Sequence, residues 1–195
     1  MHREAGKKRI GVLDVQGSVI EHVQILEKLG VEVVRVKNPK DLEKVNGLII
    51  PGGESTTVGK LLRRFGLREK IISKVRDGLA VYGTCAGAIL LAKNLVGQQS
   101  DTMKLMDIEV ERNAYGRQLD SFDTEVEFNF GDKTEKIPAV FIRAPKINKT
   151  GKDVEILAKF KNEIAAARQG NLLITTFHPE LTEDTRVHQY FIKIC

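Results

Sequence analysis

The chain has 195 residues, 42% apolar and 29% charged, the composition of an ordinary globular protein, and at this size folding buries roughly 70% of the unfolded surface without disulfide or metal staples. Its net charge of +5 is spread in mixed sign, which argues against a nucleic-acid partner. Two cysteines with no zinc-type spacing, no apolar run near the roughly 20 residues that span a bilayer and no apolar leader lead us to expect one domain, residues 1–195, in a reducing, cytoplasmic setting away from membranes.

Short apolar runs then alternate with amphipathic segments, the pattern of buried parallel strands covered by helices. Residues 10–15 read as a first strand, residues 18–29 as a helix stopped by Gly30, and residues 31–36 as a second strand. Asn38-Pro39-Lys40-Asp41 breaks the chain before a third strand at residues 48–50. Pro51-Gly52-Gly53 turns out of that strand into a helix starting at Ser55 or Thr56, and residues 61–76 continue as helix with an interruption at Gly66. A fourth strand at residues 79–82 leads into a helix at residues 85–93. Beyond Gly97 the period shortens to two, giving strands at residues 107–112, 122–128, 138–142, 153–160, 163–168 and 172–177, and residues 183–194 close the chain as an amphipathic helix. The expected architecture is α/β, a mixed central sheet with helices on both faces and its site at the carboxyl ends of the parallel strands.

Gly83-Thr84-Cys85-Ala86-Gly87 lies between a buried strand and an apolar helix. This is the glycine spacing of a nucleophile elbow with Cys in place of Ser, where the small neighbours let strand and helix approach closely. The helix N-terminus would face the thiol, and the Ala86 N–H would face a developing oxyanion. Taken alone, the run fits a buried packing cysteine equally well. His178-Pro179-Glu180 ends the last apolar strand, and in extended chain i and i+2 point the same way, so Glu180 can hold one imidazole nitrogen while the other faces the thiol. A strand-end turn with a solvated carboxylate is the competing reading.

Gly53, in the glycine pair after the third strand, can supply a second oxyanion N–H. A phosphate loop is excluded there, because Glu54 stands five residues before Gly59 and Leu61 follows Lys60. Arg112-Asn113-Ala114-Tyr115-Gly116-Arg117-Gln118 can clamp a carboxylate or be a solvated turn. His22 reads as a satisfied helix histidine, His2 and His188 as surface residues, Lys7-Lys8-Arg9 as a solvated lead-in, and Cys195 has no role.

Together these motifs resemble the class I, triad-type glutamine amidotransferases, and among them the glutaminase subunits of pyridoxal 5'-phosphate synthase. The general features are Pro51-Gly52-Gly53, Gly83-x-Cys85-Ala86-Gly87 and Phe177-His178-Pro179-Glu180. The subgroup features are Val15-Gln16-Gly17 with Glu21-His22, Glu54-Ser55-Thr56-Thr57, the Arg112–Gln118 run, and Phe141-Ile142-Arg143-Ala144-Pro145. Thr84 stands where the broader family more often has an apolar residue. The resemblance implies a three-layer, flavodoxin-like fold and hydrolysis of L-glutamine to L-glutamate and ammonia, with no metal or organic cofactor. It implies that Cys85, His178 and Glu180 are catalytic, that Gly53 and Ala86 form the oxyanion hole, and that Gly53, Glu54, Ser55, Arg112, Ile142 and Arg143 contact glutamine. Gln16 would lie at the interface with a synthase subunit, a ring-shaped oligomeric core decorated by glutaminase subunits. The alternatives are the glutaminase subunit of another amidotransferase, such as imidazole glycerol phosphate synthase, and a non-catalytic flavodoxin-like binding protein. The Arg112–Gln118 and Phe141–Pro145 runs argue against the first, and His178-Pro179-Glu180 against the second.

Overall fold

The computed structural model describes residues 8–97, 101–112 and 121–195. The first half forms a parallel sheet in which β1 (Arg9–Leu13) lies between β2 (Glu32–Val36) and β3 (Gly47–Ile50), and β3 pairs β4 (Ala80–Thr84). The chain's last strand, β12 (Leu172–Thr175), returns to pair β4 in parallel. Outward from β12 the sheet turns antiparallel through β11 (Glu163–Gln169), β10 (Glu155–Phe160), β7 (Ser121–Asn129) and β8 (Thr134–Ile142). A side branch of β5 (Ala92–Leu95), β6 (Met106–Glu111) and β9 (Lys146–Thr150) joins at β11.

Strand periodicity divides the core into two layers. Leu48 and Ile50 of β3, Val81 of β4 and Ile174 of β12 face α2 (Ser55–Arg64), α3 (Leu67–Arg76) and α4 (Ala86–Leu91), meeting Val58, Leu62, Ile71 and Leu90. Ile49, Tyr82 and Leu173 alternate to the opposite face, under Val19 and Leu26 of α1 (Val19–Lys28) and Phe191 of α5 (Arg186–Ile194). Each such side chain, removed from water, contributes about 1.5–3 kcal/mol before chain entropy is set against it. Helices therefore cover both faces of a mixed sheet, as expected.

The differences have local causes. The expected helix over residues 85–93 ends at Leu91, because Ala92 turns to extended backbone and the chain runs on as β5 beside β6. Burial is unbroken from Ala86 to Ala92, and the exposed Lys93 that follows reads equally well as the basic last turn of a helix, which conceals the change of period. The strand β9, KINKT, escapes notice because only Ile147 is buried; pairing with β6 and the Lys149–Glu109 ion pair hold it. The last strand stops at Thr175, since the Thr176 N–H turns to the Ala165 carbonyl and the His178 N–H to the Val140 carbonyl of β8. Residues 183–185 precede α5, where Asp184 accepts from the Arg186 N–H.

Candidate functional site

The carboxyl ends of β3, β4 and β12 open into a cleft of about 1000 Å³. Cys85 sits in it between β4 and α4, with φ 46° and ψ −99°, a conformation that L residues adopt only when the surroundings enforce it. The enforcement is steric and hydrogen-bonded. A Cβ on Gly83 would collide with the Gly87 backbone, one on Gly87 would collide with the Ile50 carbonyl, and the Cys85 N–H is fixed to the Thr175 carbonyl at 2.8 Å. Cys85 Sγ lies 3.8 Å from the Ile142 carbonyl oxygen.

His178 stands at the start of a 3-10 turn, Pro179–Leu181, and this turn brings Glu180 back under the ring. The two residues meet at 2.7 Å, Nδ1 to Oε1, as expected, but through a turn rather than extended alternation, because Pro179 favours the turn and β12 has already ended. His178 and Cys85 line the same cleft, near enough for each to act on the other's charge. Burial pulls the His178 pKa down, yet the neighbouring Cys85 and the hydrogen bond and charge of Glu180 prevail and raise it to about 10. Burial likewise pushes Glu180 up, and the facing groups, His22, His178 and Ser18, hold it down at about 2. Since burial keeps His22 neutral, His178 and the Ser18 hydroxyl, 2.7 Å from Oε1, carry that effect.

Pro51-Gly52-Gly53 packs against this ring so closely that a Cβ on Gly52 would overlap His178 Cε1. The Gly52 N–H donates to Thr84 Oγ1 at 2.8 Å, and the Gly52 carbonyl accepts from the Ser18 N–H at 3.1 Å. Gln16 is wired to the same turn, because its Oε1 accepts from the Glu54 N–H at 3.0 Å. The Glu54 carboxylate caps α2, accepting from the Thr56 and Thr57 N–H groups and the Thr57 hydroxyl; these bonds, the hydroxyl foremost, keep it ionised with a pKa of about 2. Buried Ser55, then Arg112, Ile142 and Arg143 complete the lining. Arg112 Nη1 donates to Thr56 Oγ1 at 3.2 Å, and Arg143 follows β8 with φ 44°. All the expected site residues thus border or touch one cleft, Gln16 through the turn and Ala86 and Glu180 from behind it. Residues 113–118 of the expected clamp lie outside the described residues, as does His2.

A second expectation is corrected besides the extended geometry at His178. His188, read as a surface residue, is fully buried, because α5 turns that face onto Tyr82 and His22. Four neighbours of the triad were given no role at the site by the sequence reading: Ser18, Thr84, His22 and His188. Ser18 makes no capping bond to α1 and spends its hydroxyl on Glu180 instead. Lys8 and Arg9 are exposed, and half-buried Cys195 packs under β3. Among the described residues no group of three or more His, Cys, Asp or Glu is placed to hold a metal ion, and no helix is long and apolar enough to cross a membrane.

The sequence matches the SNO glutamine amidotransferase family over residues 12–195. The chain belongs to that family. It is similar to pyridoxal 5'-phosphate synthase subunit PdxT of Clostridium botulinum, 56% identical over 185 residues that cover 94% of this chain and 95% of that protein. The protein of the same name from Thermotoga maritima is 50% identical over 186 residues, 95% of this chain and 98% of its own. A crystal structure of a glutamine amidotransferase superposes with a TM-score of 0.90 at 44% identity, covering 95% of this chain and 97% of that one. The structure of PurLQS from Thermotoga maritima, at TM-score 0.74 and 20% identity over 96% of this chain and 98% of that one, shares the fold. Within the SNO family frame, the elbow at Cys85 and the turn at His178 follow the neighbouring parallel strands β4 and β12, at the carboxyl edge where an open α/β sheet places its ligands.

Proposed function

We propose that this chain is the glutaminase subunit of a pyridoxal 5'-phosphate synthase, hydrolysing L-glutamine and delivering the ammonia to a synthase subunit. The observation that carries the reading is that Cys85 and His178 line one cleft while Glu180 holds the His178 ring from behind it. Cys85 thiolate attacks the glutamine Cδ while its proton rests on His178. The carbonyl π pair moves to oxygen, held by the Gly53 and Ala86 N–H groups. Collapse breaks the C–N bond, the His178 proton goes to the leaving nitrogen, and ammonia departs from a γ-glutamyl thioester. Water then adds to the thioester, losing its proton to His178, and collapse releases glutamate and regenerates the thiol. Glu180 holds the Nδ1 proton in place and stabilises the imidazolium throughout. No metal or organic cofactor has a step in this sequence.

Arg112 and Arg143 suit the α-carboxylate of glutamine, and Glu54, kept ionised by its cap, suits the α-ammonium. Each Arg→Ala variant should raise the glutamine KM about tenfold or more with kcat little changed, the loss of one charge-assisted contact. Steady-state kinetics at varied glutamine check this; unchanged KM in both variants returns the arginines to solvated turns.

The partner reading is a ring-shaped synthase core that carries glutaminase subunits and docks over Gln16, in the cytoplasm. Docking bears on the oxyanion turn because Gln16 and Ser18 hold either side of it, so any turning of the Gly52–Gly53 peptide gives up the Ser18 N–H bond. The chain alone should therefore hydrolyse glutamine poorly, and its cognate synthase should raise turnover by about 10², the worth of one oxyanion donor. Ammonia release with no partner, the cognate synthase or an unrelated synthase tests both readings. No hydrolysis under any condition overturns the glutaminase; full activity alone overturns the docking switch.

A further inference from the structure

Behind the triad lies a buried chain of polar side chains that the mechanism above leaves unused. His188 Nε2 meets His22 Nδ1 at 2.9 Å; His22 Nε2 lies 3.2 Å from Thr84 Oγ1 and 3.5 Å from Glu180 Oε1; Thr84 Oγ1 in turn accepts the Gly52 N–H. Both imidazoles are fully buried, stacked at an angle to each other and edge-on to the Tyr82 ring.

Two proton arrangements satisfy the His22–His188 contact, and the surroundings choose between them. If His22 carried its proton on Nδ1, its Nε2 lone pair would face the Glu180 carboxylate, and neutral His188 would keep an N–H on Nδ1, which is buried with no partner among the described residues. With the proton on Nε2, His22 donates towards Thr84 and Glu180, its Nδ1 accepts from His188 Nε2–H, and His188 Nδ1 is left as an unpaired acceptor. The second arrangement replaces a repulsion by an attraction and avoids a stranded donor. We propose that His22, fixed in its Nε2–H tautomer by His188, is a positioning residue that ties the Glu180 carboxylate and, through the Thr84 hydroxyl, the Gly52 end of the oxyanion turn to one frame. It never touches substrate. This rests on the glutaminase reading and deepens it.

The charged and titratable groups around the pair come from every packed element: Glu21 on α1, Tyr82 on β4, His178 and Glu180 on the 3-10 turn, and Asp184 ahead of α5. Burial drives both down against the opposing charge of Glu180, the His188 pKa to about 3 with the His22 ring adding to the effect, and that of His22 below its ordinary value with His178 adding to it. A neutral pair is what the proposed geometry needs, since a second cation beside Glu180 would compete with His178 for its charge.

The test has two arms on the protein with its cognate synthase or, for spectra, on the full chain. In ¹⁵N spectra of the histidine rings at neutral pH, His22 should show a protonated Nε2 and a bare, hydrogen-bonded Nδ1; a protonated Nδ1 overturns the proposal without touching the triad. In kinetics, His188→Phe keeps a buried ring but removes the donor. It should lower kcat about tenfold, the scale of a small misplacement of the reacting groups, with glutamine KM within about twofold, whereas His188→Gln, which retains an N–H, should recover most of the loss. A KM rise with kcat intact, or equal losses in Phe and Gln variants at matched melting temperature, overturns the positioning role. A parent protein that releases no ammonia with its synthase overturns the glutaminase reading instead, and the ring spectra then decide the tautomer alone.

Discussion

Cys85→Ala should reduce ammonia release from glutamine by a factor on the order of 10⁴ or more, since no thioester can form without the thiolate and triad members act as one unit. The fold should persist. Ala keeps the Cβ that fills the elbow, and the conformation at φ 46° is imposed by the Thr175 carbonyl and the collisions around Gly83 and Gly87 rather than by the sulfur, which lies 3.8 Å from the Ile142 carbonyl. The melting temperature should change by only a few degrees, because the variant keeps the backbone conformation and the Cβ and loses a single sulfur atom. Cys85→Ser should be nearly as inactive, because the hydroxyl is a far weaker nucleophile at its ordinary pKa. Circular dichroism and ammonia release measured on the same preparations decide the matter: parental release from the Ala variant makes Cys85 a packing residue.

Much of the fold was legible because α/β sheets write their two layers into short sequence periods. Leu48, Ile49 and Ile50 fill both core layers in consecutive positions, which only a strand covered on both faces allows. The strands β5 and β9 were not legible for related reasons: β5 follows an apolar helix without a break and buries only Ala92, and β9 buries only Ile147. At the site, the elbow and the His178-Pro179-Glu180 run were visible as local motifs whose contact depends on few residues. Even there the extended i, i+2 geometry was the wrong route to the right contact. Ser18 and His188 had no local signal at all, since their partners Glu180 and His22 lie 162 and 166 residues away along the chain. Thr84 alone announced itself, as a polar residue where the broader family favours an apolar one, and its hydroxyl proves to join β4 to the oxyanion turn.

His178→Asn should lose nearly as much turnover as Cys85→Ala, because both proton transfers pass through the imidazole. The Cys85→Ala/His178→Asn double variant should be little worse than either single one, and additive losses would show that the two do not share a proton-transfer step. Glu180→Gln should lose less, for a reason specific to this site. His178, Ser18 and His22 all face Oε1, whereas Oε2 is buried without a partner among the described residues. A Gln side chain can therefore leave its carbonyl oxygen where Oε1 was, still accepting from His178 Nδ1–H, and turn its amide to the unpartnered side. The orientation survives and the charge is lost. Two consequences of that charge are measurable. Glu180 ionises at about 2 in the fold against an ordinary 4.5, so its contribution to stability is present above 4.5 and disappears as pH falls towards 2. His178, at about 10 against 6.5, contributes fully below 6.5 and loses that contribution as pH rises through 10. Thermal melts of parent and Glu180→Gln from pH 3 to 10 should accordingly draw together towards both ends and differ most between about 4.5 and 6.5. Parallel curves across the whole range would mean that the buried carboxylate and imidazole do not hold each other's charge, and Glu180 would then orient His178 by hydrogen bonding alone.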